Sequence, residues 1–66
     1  MAGNTRGKLK ENLEGVHRNC EWIKSHIQKS LQLLPDGYDQ LETAFISLDK
    51  ITDQLDEFAG DLYSHI

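Results

Sequence analysis

The sequence predicts an all-α protein: an antiparallel two-helix hairpin, residues 6–34 and 37–65, that assembles into a homo-oligomeric helical bundle. Three observations carry this prediction. Apolar residues keep heptad spacing in both halves, one turn sequence separates the halves, and the charge changes sign across that turn.

In the first half Leu9, Leu13, Val16, Cys20, Ile23, Ile27 and Leu34 recur at alternating steps of four and three, with Ser30 in the one gap. That spacing gathers them on one side of a helix, whereas a strand would scatter them over both faces. With Leu13 taken as heptad position a, Leu9 is a d. The turn is Leu34-Pro35-Asp36-Gly37, which holds the only proline of the chain. Pro and Gly in succession end a helix and reverse the chain. The second half resumes the seam with Tyr38, Leu41, Phe45, Leu48, Thr52, Leu55, Ala59, Leu62 and Ile66. Asp36 is a candidate N-cap for this helix, and Asp39 followed by Glu42 offers a second, capping-box start. Each helix is about 40 Å long at ~1.5 Å per residue.

A short connection makes the helices antiparallel neighbours. Setting Leu34 against Tyr38 makes facing residue numbers sum to about 72, so Ile27 meets Phe45, Ile23 meets Leu48, Val16 meets Leu55 and Leu9 meets Leu62. The e positions then face each other, which predicts the pairs His17 with Asp56 and Lys24 with Asp49. Charge supports this arrangement. Up to Leu34 six cations stand against three acids, a net +3. From Pro35 onward Lys50 alone stands against eight acids, a net −7. Such pairs specify register more than they stabilise.

The g positions Ala44, Ile51 and Phe58, beside Leu48, Leu55 and Leu62, form a second apolar stripe that one hairpin does not cover. The first helix adds Trp22 and Leu33. An exposed stripe of this kind marks an association site, so Trp22, Leu33, Ala44, Ile51 and Phe58 are the expected oligomer interface, in the simplest case of a dimeric four-helix bundle.

Length and composition bound the rest. Sixty-six residues make one domain, 1–66, with 1–5 expected to be flexible, and a chain this short is marginal alone. Its single Cys excludes an internal disulfide, and no zinc-finger spacing is present. No apolar run approaches the ~18 residues of a membrane span, no signal-peptide core follows Met1, and Gly3 does not fit the myristoylation pattern. The expectation is a soluble, cytoplasmic protein with no membrane partner. The net charge of −4 argues against indiscriminate nucleic-acid binding.

Chemistry is sparse. Ser25, Ser30, Ser47 and Ser64 lack a paired His and acid, and no Gly-rich phosphate loop is present. His17 and Cys20 lie three apart on one helical face without a further ligand, so neither metal nor cofactor is expected and the function is read as non-catalytic. Gly15 and Gly60 interrupt good helices at ~1 kcal/mol each relative to Ala. Arg6, Lys8 and Lys10 crowd the start of the first helix, where its dipole disfavours cations. They are either partners of Glu57 and Asp61 at the acidic end of the second helix, the more ordinary outcome, or the first candidates for contacting an anion. Trp22, flanked by Arg18, His26 and Lys29, is a candidate for stacking a base beside a phosphate.

The stretch Ile27-Gln28-Lys29-Ser30-Leu31-Gln32-Leu33-Leu34-Pro35-Asp36-Gly37, followed by the helix with Ala44 and Leu48, resembles the hairpin of phage nucleotide-sponge proteins over about a third of the chain. The resemblance implies a small self-assembling protein of a phage-infected bacterial cell that sequesters a cyclic nucleotide defence signal. It places no site residue. A second likeness is architectural only, to plasmid-encoded RNA-binding hairpins that dimerise into four-helix bundles. The alternatives carried forward are therefore an anionic-nucleotide binder, a coiled-coil adaptor for a protein partner, and an RNA-hairpin binder.

Overall fold

The computed structural model describes residues 4–66, in two helices, α1 (Thr5–Leu33) and α2 (Asp39–His65). Both lie within two residues of the sequence-predicted bounds. Of the segment expected to be flexible, residues 1–3 lie outside the described residues, and Thr5 is already helical.

The connection follows from three neighbouring residues. Pro35 pushes the residue before it out of the helical region. Leu34 accordingly is extended, with φ −71° and ψ 122°, and α1 stops at Leu33. Gly37 then takes φ 95°, a left-handed conformation that glycine adopts without a side-chain clash. The start of α2 differs from the expectation. Neither Asp36 nor Asp39 is the N-cap. Tyr38 occupies that position without a side-chain cap, and its carbonyl accepts the Glu42 N–H at 3.0 Å. Asp39 and Glu42 sit inside the first turn, where their charge favours the helix dipole.

The helices pack side by side as a rod of 55 × 15 × 12 Å. Among the described residues the buried ones are Cys20, Ile27, Thr52 and Ala59, all a positions. The buried Thr52 hydroxyl donates to the Leu48 carbonyl at 2.9 Å, so it costs no unmade hydrogen bond. The register is the expected one, since His17 pairs with Asp56.

The side of the seam is not the expected one. The d positions Leu9, Ile23, Leu48, Leu55 and Leu62 are 40–51% exposed, whereas Lys24, Leu31, Asp49 and Asp56 at e are half-buried. The helices thus meet along a and e. Small side chains at Cys20, Thr52 and Ala59 let the backbones close there, and polar contacts between the e flanks fix the roll. Among the described residues no helix is long and apolar enough to cross a membrane.

Candidate functional site

An antiparallel pair turns the d flanks of both helices to one side and the e flanks to the other. The hairpin is therefore two-faced, and each face is built from a different chemistry.

The e side holds the polar contacts between the helices. His17 Nδ1 lies 2.7 Å from Asp56 Oδ1, and its Nε2 lies 3.3 Å from Glu21. The hydrogen bond and charge of Asp56 raise the imidazole above its ordinary value, with a smaller push from Glu21. Lys24 pairs with Asp53, one turn from the expected Asp49. The bond to Asp53 raises the ammonium, and Asp49 acts on it through its charge alone. Asp49 Oδ1 is buried without a hydrogen-bond partner. The cause is again the roll of the seam: e positions lie close to the contact line, so Lys24 reaches outward to a b position. Toward the open end, the Tyr63 hydroxyl donates to Glu14 at 3.1 Å, and Lys10 Nζ sits 5.1 Å from the Tyr63 ring centre. Glu14 raises the phenol by accepting that bond.

Leu13, Glu14, His17, Arg18, Asp56, Ala59, Gly60 and Tyr63 line a groove of about 320 Å³. A Cβ added to Gly60 would meet no atom within 4 Å, so the glycine is not required by packing inside this chain. Cys20 is 1% exposed, and burial raises its thiol, which keeps it protonated and poorly nucleophilic. Among the described residues no three His, Cys, Asp or Glu side chains converge to hold a metal ion.

The opposite, d and g side is apolar. Ile51 is 59% exposed and Phe58 65% exposed, and Leu41, Leu48, Leu55 and Leu62 run beside them. Ala44 lies on the same face of α2, and Leu33 is on the corresponding flank of α1. Trp22 lies one row further round α1, at the border of this face. It stands two residues, some 200° around the helix, from the buried Cys20, so it projects away from α2. There Trp22, Ser25, His26 and Lys29 line a shallow pocket of about 270 Å³. The Trp22 and His26 rings are 6.3 Å apart and tilted by 58°. Glu21 lies at the edge of the pocket and is drawn toward His17.

The N-terminal cations are separate from this pocket. Lys10 is some 18 Å along the helix axis from Trp22, and Arg6 some 24 Å. Arg6 and Lys8 are exposed. Neither pairs with Glu57 or Asp61, for among the described residues the ion pairs between the helices are His17–Asp56 and Lys24–Asp53. One chain therefore does not gather Arg6, Lys8, Lys10 and Trp22 into a single site. The groove around Tyr63 was not singled out in the sequence. Its signal is Tyr63 at an e position, level with Lys10 once facing numbers sum to about 72.

Comparison of the chain with protein-family models, curated proteins and solved structures finds no match.

Proposed function

We propose that this chain is a non-catalytic binding protein that self-assembles through its apolar face and sequesters an anionic nucleotide between protomers. The observation that carries the ligand reading is the pocket on the outer side of α1, where an exposed indole, an imidazole and an ammonium stand together. An exposed Trp supplies a stacking surface for a base, worth ~1–3 kcal/mol per base in related settings. Lys29 and His26 supply hydrogen-bond donors for phosphate oxygens. Arg6 and Lys8 lie too far along their own helix to help, so in this reading they reach the phosphates of a ligand held by a neighbouring chain. The resemblance of the turn region to phage nucleotide-sponge hairpins supports the same reading, and the small core of one chain supports self-assembly.

Trp22 is the only tryptophan, which makes the test direct. Cyclic mononucleotides and dinucleotides, each titrated into the protein, should include one that quenches Trp22 fluorescence saturably and raises the melting temperature. Trp22→Ala should abolish the thermal shift while helicity is retained. If no nucleotide does either, the reading falls and the chain is an adaptor that recruits a protein through the same surfaces. If instead RNA hairpins bind with a steep salt dependence, the chain is an RNA-binding bundle.

A further inference from the structure

The apolar stripe of α2 reads alike from either end. Outward from Ile51, the next members are Leu48 and Leu55, then Ala44 and Phe58, then Leu41 and Leu62. The steps are three or four residues in both directions, and the midpoint falls within one residue of the middle of α2, which runs from Asp39 to His65. An antiparallel copy of the same stripe, laid across it, meets an apolar side chain at every turn. The two-fold axis also brings the Ala44 half of one stripe against the Phe58 half of the other, so that a small residue lies toward a large one twice. A closed two-fold interface requires this self-complementarity, with each partner using the same patch.

Charge points the same way. α2 carries seven acids and one lysine, and a helix so acidic should avoid its own copy. Yet Asp39, Glu42, Asp49, Asp53, Asp56 and Glu57 all lie on other sides of the helix. The row that borders the stripe is Gln40, Ser47, Gln54 and Asp61, with a single charge. The surface area supports the need for cover. A monomer of 7.5 kDa that packs like an average globular protein exposes about 4,200 Å². This chain exposes 5406 Å². The excess of about 1,200 Å² exceeds the ~800 Å² that each partner contributes to an interface of standard size.

We infer that two copies dimerise through antiparallel α2–α2′ packing across Leu48, Ile51, Leu55 and Phe58, with α1 of each chain on the outside. This rests on the self-assembly part of the reading above and adds to it the face, the partner and the direction. The alternative, α1 of one chain stacked on α2 of the other, would set the two α2 helices parallel.

Two measurements test it. Sedimentation equilibrium at tens of micromolar should give twice the chain mass of 7.5 kDa, and Ile51→Asp should halve it while the helical circular dichroism is kept. Spin labels at Ser47→Cys and, separately, Ser64→Cys, both in a Cys20→Ala background, then report direction. An antiparallel pair centred near residue 52 separates the two Ser64 labels by about 35–40 Å along the axis and the two Ser47 labels by about 15 Å. Parallel helices make the two distances alike. A monomeric parent overturns both this inference and the self-assembly it rests on. An assembled parent with alike distances, or one whose mass Ile51→Asp leaves unchanged, overturns this inference alone.

Discussion

Phe58→Ala separates assembly from folding. Phe58 is 65% exposed in the single hairpin, so about two-thirds of its surface is available to bury in a dimer. Complete burial of a Phe side chain contributes ~1.5–3 kcal/mol, which leaves ~1–2 kcal/mol per copy for association. A two-fold interface uses the residue twice, for a loss of ~2–4 kcal/mol. At a factor of ten per ~1.4 kcal/mol, the dimer of Phe58→Ala should dissociate at concentrations ~30- to 1,000-fold higher than the parent. The hairpin itself should change little, because Phe58 touches little within it and Ala is the better helix former. Sedimentation equilibrium over a concentration series gives the dissociation constants, and circular dichroism at each concentration reports helix content. A dissociation constant within threefold of the parent would refute the interface. Loss of helix at concentrations where the variant is still assembled would show that Phe58 belongs to the core of one chain.

Three further outcomes follow from the polar side and the glycine. His17 is raised in the folded state by Asp56, so its contribution to stability is complete below its unfolded value near 6.5 and disappears as pH rises through the higher folded value. The melting temperature of the parent should therefore exceed that of His17→Gln at pH 5.5 and match it at pH 9, and a gap that widens with pH contradicts the pairing. A double-mutant cycle on Lys24 and Asp53 should show favourable coupling that fades with salt, larger than the coupling of Lys24 with Asp49; the reverse order would put the e-side roll in error. Gly60→Ala adds a methyl group to open space within α2, so chemical denaturation should show a gain of ~1 kcal/mol. A loss in its place would mean that another chain packs closely on the Gly60 backbone.

The helices and their register were legible because they rest on local rules. Heptad spacing demands helices, Leu34-Pro35-Asp36-Gly37 demands a turn, and a short turn sets facing numbers to a fixed sum. His17 against Asp56 followed from that sum alone. The roll of one helix about the other was less legible, since a, d and e positions all lie within reach of a seam. The choice between d and e depends on how closely the backbones approach, which is set by the sizes of Cys20, Thr52 and Ala59 taken together. That choice moved the partner of Lys24 from Asp49 to Asp53 and opened the d side. The N-terminal cations and Trp22 stood out as candidates by residue type, but one helix holds them some 18–24 Å apart.

The division into two faces also orders the events of binding. A hairpin whose buried set among the described residues is Cys20, Ile27, Thr52 and Ala59 has little core of its own, so in the dimer inferred above covering the d side would add stability and the α2–α2′ contact would form without ligand. In such a dimer Trp22, on the side of α1 opposite the buried Cys20, would stay on the outer surface. Under the proposed function, a nucleotide held by Trp22 of one chain and by Arg6 or Lys8 of another would then join chains across α1 surfaces, not within the α2 seam. Ligand addition should then convert dimers into larger assemblies, and Ile51→Asp should weaken ligand binding only by the loss of the second site in each dimer. A ligand that converts monomers to dimers would instead place its site in the α2 seam and remove Trp22 from it.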